Sequence, residues 1–147
     1  DDNNLTIRTS IIGPEIKSSG EGLFDWFMRQ DGEVQGYKNS IWSGVTTLEL
    51  AKAIKWAIEN NINGIYHITN NLIINKYELL NLFKKYTKKN IEITPFDNKK
   101  VDKSFIDTRR LINYKIPSYE QMVSEMIEEI KINMNFYSRY NMYESIL

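Results

Sequence analysis

The stretch Leu-Thr-Ile-Arg-Thr-Ser-Ile-Ile-Gly-Pro-Glu at residues 5–15 decides the fold. It starts as an alternating, β-branched run, which predicts a strand buried at its inner end. It breaks at Gly13-Pro14, where glycine's freedom and proline's fixed φ enforce a turn. Open α/β sheets present a ligand crevice in this way, with strands running into a small mouth beyond their carboxyl ends. A strand followed by an ordinary loop is the simpler reading of the same residues.

Working outward, the polar run Lys17-Ser-Ser-Gly-Glu-Gly22 predicts a flexible loop able to close over a ligand. Its glycines are too few, and too badly placed, for a phosphate-cradling loop. Leu23–Gln30 predicts a short helix with Leu23, Phe24, Phe27 and Met28 on one face and Trp26 off that stripe. Glu33–Tyr37 predicts a short strand. Thr46 and Glu49 are spaced as a capping box, and Leu48, Ala51, Ile54, Ala57 and Ile58 then predict a helix to Glu59 with an apolar core stripe. Ile65–Thr69 predicts a second central strand, joined to Leu5–Ser10 through that helix by a right-handed crossover. His67 lies inside it as a structural residue.

A helix is expected over Asn75–Tyr86, buried through Leu79, Leu80, Leu82 and Phe83, with lysines at its C-terminal end where cations suit the dipole. Ile91–Thr94 predicts a fourth strand, and Pro95–Ser104 a polar, irregular segment. Asp107-Thr-Arg-Arg110 resembles a helix start, with Asp107 as cap. Ser118, followed by Gln121, starts a long helix buried through Tyr119, Met122, Val123, Met126, Ile127 and Ile130, reaching about Asn133. The organisation is one body over 1–134 and a tail, 135–147, which reads as an appended helical turn or frayed end.

Composition narrows the function. The chain of 147 residues carries 19 basic and 19 acidic side chains, interspersed, for a formal net charge of zero. That argues against a nucleic-acid-binding face. There is no cysteine and one histidine, so neither thiolate nor multi-histidine metal sites are available, and no metal is expected. No apolar run approaches the ~20 residues that span a bilayer, and no signal peptide is visible. The expectation is a cytoplasmic protein without membrane contact. The opening Asp1-Asp-Asn-Asn4 lacks an initiator methionine and leads almost at once into a strand that needs neighbours, so the expectation is a C-terminal piece of a longer protein. Taken alone, it should be poorly stable, because Leu5–Ser10 would leave an unpaired edge.

Four segments in order carry a family likeness: Ile-Arg-Thr-Ser-Ile-Ile-Gly-Pro-Glu at 7–15, Trp-Ser-Gly-Val-Thr-Thr-Leu-Glu-Leu-Ala-Lys-Ala-Ile at 42–54, Gly-Ile-Tyr-His-Ile at 64–68, and Val-Asp-Lys-Ser-Phe-Ile-Asp-Thr-Arg-Arg-Leu at 101–111. Together they resemble the C-terminal part of extended short-chain dehydrogenases/reductases of the dTDP-4-dehydrorhamnose reductase-like, nucleotide-sugar-modifying group. The resemblance implies an α/β fold: the last strands of a doubly wound, Rossmann-like parallel sheet plus a small mixed α/β substrate-binding lobe. It implies hydride transfer between NADP or NAD and a keto group of a nucleotide-linked sugar, in polysaccharide-precursor biosynthesis. The cofactor would be held mainly by an N-terminal half, and the family leaves room for a homodimer. Its Tyr-x-x-x-Lys and glycine-rich fingerprint are absent from these residues, so no catalytic residue is assigned here. Carried over by position, Thr9, Ser10 and Ile11 would pass beside the nicotinamide. Gly13, Pro14, Glu15 and the loop to Gly22 would border the sugar, and Gln35, Gly36, Tyr37 and Trp42 would flank the base. Lys99 and Lys100 stand where relatives place a phosphate-gripping arginine; lysine meets phosphate as a point charge, not a bidentate fork. Two other readings remain: a non-catalytic nucleotide-sugar or regulatory binding protein of the same fold, and an unrelated α/β interaction domain. An upstream Tyr-x-x-x-Lys and glycine fingerprint would select the enzyme.

Overall fold

The computed structural model describes residues 4–105, 109 and 113–140. Its two central strands pair as the crossover argument requires. β1 (Leu5–Arg8) lies parallel to β6 (Gly64–His67), with Leu5 opposite Gly64 and Arg8 opposite His67. The predicted strand over 5–10 does not run straight on. After Arg8 the chain leaves β6, its departure fixed by the Thr9 hydroxyl donating to the Ile68 carbonyl at 2.7 Å. It then re-forms as β2 (Ile11–Ile12), parallel to β5 (Val45–Thr46). Gly44 permits this second pairing, because a Cβ there would stand 2.1 Å from the Ser10 carbonyl oxygen.

The rest is a mixed lobe. β3 (Gly32–Tyr37) pairs in parallel with β8 (Ile91–Phe96), under α3 (Lys76–Thr87). β4 (Ser40–Trp42) carries β7 (Ile74–Asn75) antiparallel on one side and β9 (Val101–Lys103) parallel on the other. These short strands have no legible period, and only tertiary pairing defines them. α1 (Leu23–Arg29), α2 (Thr47–Glu59), α4 (Tyr119–Ile132) and α5 (Met134–Tyr137) complete the helices, followed by a 3-10 turn at Ser138–Tyr140. The architecture is α/β with small parallel sheets, as expected.

The lobe's core joins α1, α3 and α4. Phe24 meets Phe83 edge-on at 5.1 Å between ring centroids, a favourable arrangement of ring quadrupoles. All six residues expected on the α4 stripe are buried, and the Ser118 hydroxyl accepts from the Gln121 amide at 3.2 Å. On α3, Leu79, Leu80 and Phe83 are buried, with Leu82 half-buried beside them. Asn75 and Glu78 form a reciprocal capping box there.

Two expectations for α2 are corrected. The buried face is Glu49, Ala53 and Ala57, whereas Ile54 and Ile58 are 37% and 68% exposed and Ala51 is exposed too. Periodicity shows that a helix has an apolar stripe, not which neighbour covers it: α2 contacts α4, buries Ala53 and Ala57 with Leu50 and Trp56 packed beside them, and leaves Ile54 and Ile58 outward. Thr46 does cap the helix, accepting from the Glu49 amide at 3.2 Å. The Glu49 carboxylate, however, does not turn back to complete a box; it accepts from the Tyr114 hydroxyl at 2.7 Å. Burial raises the Glu49 pKa from its usual 4.5, against the opposing pull of that hydrogen bond. The expected Asp107 cap lies outside the described residues. The start of the tail is ordered against the lobe: Tyr140 is 4% exposed.

Candidate functional site

The second strand segment, the lobe sheet and α3 border a half-open cavity of about 420 Å³. β2 contributes Ile11 and Ile12, and α1 contributes Leu23. Tyr37 comes from β3, and Ser40, Ile41 and Trp42 from β4. Lys76 and Leu79 enter from α3, and Val101 and Lys103 from β9. No carboxylate is among these lining residues. The walls therefore combine two ammonium groups, two aromatic rings and aliphatic surface, which suits a ligand with an anionic part and a flat or apolar part.

Lys76 has the most unusual setting. It is the first residue of α3, next to the Asn75 cap, where the helix dipole disfavours a cation. Its Nζ lies 5.0 Å from the Trp26 ring centroid and 5.2 Å from that of Tyr37, within cation–π range of both. Burial lowers its pKa from the usual 10.5, and nearby Lys103 lowers it further. An anion in the cavity would relieve both effects. Trp42 is held differently: its indole N–H donates to Ser10 Oγ at 2.8 Å, and its ring lies 5.9 Å from that of Tyr119. With the N–H taken, only the ring remains to meet a ligand.

Of the residues singled out in the sequence, Ile11, Tyr37 and Trp42 line this cavity. Thr9 and Ser10 spend their hydroxyls inside the fold, on the Ile68 carbonyl and the Trp42 indole. Gly13 packs on Thr47, whose Oγ1 would be 2.1 Å from an added Cβ. Glu15, beyond Pro14, turns its carboxylate to the start of α1, accepting from the Gly22 amide at 2.5 Å. Gly36 is buried where a Cβ would meet Tyr77 at 2.5 Å, while Gln35 is exposed on β3. Lys99 and Lys100 are exposed beside Asn98, whose side chain pins the turn to Asn39 and Ser40; they do not line the cavity. His67 packs edge-on against Phe105 at 5.8 Å. Among the described residues no His, Cys, Asp or Glu group could hold a metal ion, and no helix is long and apolar enough to cross a membrane.

Lys76 was not singled out in the sequence, and Lys103 stands there only as one lysine of the polar Pro95–Ser104 segment. The misplaced charge of Lys76, at the wrong end of its helix for the dipole, was the available signal.

No protein-family model matches the chain, and no curated protein sequence does. Solved structures do. A dTDP-4-dehydrorhamnose reductase from Bacillus anthracis in complex with NADP superposes with a TM-score of 0.68 at 17% identity, over 85% of this chain and 48% of that one. The corresponding reductase from Yersinia enterocolitica gives 0.64 at 14% identity, over 84% of this chain and 48% of that one. A UDP-N-acetylglucosamine 4-epimerase from Methanobrevibacter ruminantium in complex with UDP-N-acetylmuramic acid gives 0.62 at 15%, over 88% and 46%. The chain thus has the fold of about half of such proteins and spans about half their length.

Proposed function

We propose that this chain is the sugar-nucleotide-binding portion of an NAD(P)-dependent reductase acting on a keto group of a nucleotide-linked sugar, working in the cytoplasm with a cofactor-binding N-terminal half. The cavity carries the reading: two lysines, two aromatic rings and no carboxylate, beside the mouth of the β1–β6 pair. Lys76 and Lys103 would meet the diphosphate as point charges. Tyr37 and Trp42 would offer ring faces to the base, and Gly13, Pro14, Glu15 and the loop to Gly22 would border the sugar.

The fold's cofactor fits these residues in one limited way. The Thr9 hydroxyl donates within the fold, the Ser10 hydroxyl accepts from the Trp42 indole, and the Ser10 carbonyl accepts from the Val45 amide at 2.9 Å. That leaves the Ile11 side chain, 52% exposed, as an apolar wall for a nicotinamide face. When bound, the nicotinamide would supply the hydride. This chain's residues would hold the sugar nucleotide and keep water from its keto carbon.

Titration of the protein with dTDP, thymidine and inorganic phosphate, followed by tryptophan fluorescence and calorimetry, tests this. dTDP should bind and thymidine should bind at least tenfold more weakly; Lys76→Ala and Lys103→Ala should each weaken dTDP by about tenfold, the value of one lost charge-assisted contact. Equal binding of dTDP to the wild type and both variants would falsify the assignment.

A further inference from the structure

The segment joining the two sides of the cavity, from Ile12 to Leu23, is held from outside by the C-terminal turn. The buried carboxylate of Asp25, 1% exposed, is the anchor. It pairs with Arg139 at 2.6 Å and with Arg29 at 3.1 Å, and accepts from the Tyr140 hydroxyl at 3.1 Å. Arg139 also donates to the carbonyls of Glu15 and Lys17. The Tyr140 hydroxyl accepts from the Glu15 amide at 2.7 Å, while its ring packs on Phe24 at 5.4 Å. Arg29 holds the far end of the loop through the Gly20 carbonyl at 2.7 Å. Gly20 lies so close to Asp25 that a Cβ would be 2.4 Å from its carboxyl carbon.

A run of Gly, Ser and Lys has little reason to hold one shape, since ordering each residue opposes about 1–2 kcal/mol of backbone entropy. Here the order comes from three charged groups and a phenol, two of which lie more than a hundred residues away in sequence. Both ends of the held segment, Ile12 and Leu23, are cavity walls.

We infer that Arg139 and Tyr140 are positioning residues, a C-terminal latch that fixes the 15–22 loop and thereby the Ile12 and Leu23 walls of the cavity. The ligand that feels this rests on the reading above; the mechanical coupling does not. The latch makes the cavity's aperture depend on the C-terminal turn, so whatever displaces that turn loosens the ligand's border.

Amide hydrogen exchange on the full chain tests it. Tyr140→Phe keeps the ring on Phe24 and removes only the hydroxyl. Exchange at Glu15, Glu21, Gly22, Ile12 and Leu23 should speed up at least tenfold, with Val34 and Ile93 in the β3–β8 pair unchanged. Arg139→Lys keeps the charge beside Asp25 but loses the fork, and should fall between Tyr140→Phe and the wild type. Unchanged exchange at the loop and walls overturns the inference, and so does equal acceleration at Val34 and Ile93, which would mean general loosening. If dTDP binds the wild type, Tyr140→Phe should weaken it at least threefold, and equal affinity despite faster exchange also overturns the latch. If the wild type binds no dTDP while the exchange pattern holds, the nucleotide reading falls and the latch stands.

Discussion

The lobe built on β3–β8, α3 and α4 has a filled aromatic and aliphatic interior, whereas the β1–β6 pair and the outer side of α2 have none of their own. In the lobe Phe24, Phe27, Phe83, Leu80, Ile127 and Ile130 are completely buried. On the β1–β6 and α2 side, Ile58 is 68% exposed and Ile65 is 38% exposed, and β1 alternates between half-buried and exposed residues along its length. Parallel strands occur almost only where both faces of their sheet are covered. The lobe thus holds the packed core, while the parallel pair carries apolar surface of the kind that a larger sheet and its helices cover.

The comparison is broken most forcefully inside the lobe. Phe83→Ala removes the ring that both Phe24 and Phe27 pack against, and should cost about 3–5 kcal/mol in urea unfolding. A loss under 1 kcal/mol would show the lobe is not the stable unit. At the junction of the two regions, Gly44→Ala would force a Cβ between the Ser10 carbonyl and the Trp42 ring. A cost of about 1–3 kcal/mol is expected, together with a shift in Trp42 emission, because that indole bonds to Ser10.

Glu49 sharpens the comparison through pH. Its pKa is raised from 4.5 in the fold by burial under Tyr114. The native state therefore holds the proton more tightly than the unfolded chain, and stability from this group is present below pH 4.5 and lost as pH rises through the raised value. Glu49→Gln should melt with the wild type at pH 4 and above it at pH 7; a widening gap towards acid would reverse the assignment. The smallest effect belongs to the outer side of α2: Ile58→Asp should change stability by less than about 0.5 kcal/mol, measured by the same urea titration. A large loss would mean that this face is already covered.

What the sequence revealed follows the same division. The α4 stripe and its Ser118 cap were legible because a 3.6-residue period and a local hydrogen bond need no knowledge of partners. The α2 stripe was read as core because Ile54 and Ile58 have the right spacing, and spacing is blind to whether a neighbour is there. β4, β7 and β9 were invisible, being two or three residues long and defined only by one another. At the cavity, Ile11, Tyr37 and Trp42 were found through the family likeness. Lys99 and Lys100 come from the same likeness and lie off the cavity, while the lysines that line it stand singly, Lys76 opening a helix and Lys103 ending a strand. Arg139 and Tyr140 lie in a weakly periodic stretch, and their partners are side chains and carbonyls far away in sequence, which no local pattern records.

The hydrogen bond from the Glu15 amide to the Tyr140 hydroxyl joins positions 125 residues apart, and this has a consequence in time. Contacts of such long range form late, after the chain between them has lost most of its freedom. Synthesis runs from the N-terminal side, so the Lys17–Gly22 loop is made before α4, α5 and the turn at Ser138–Tyr140 and must wait for them before it acquires its shape. The border of the cavity is made before the turn that gives it its shape, and settles only after that turn has arrived.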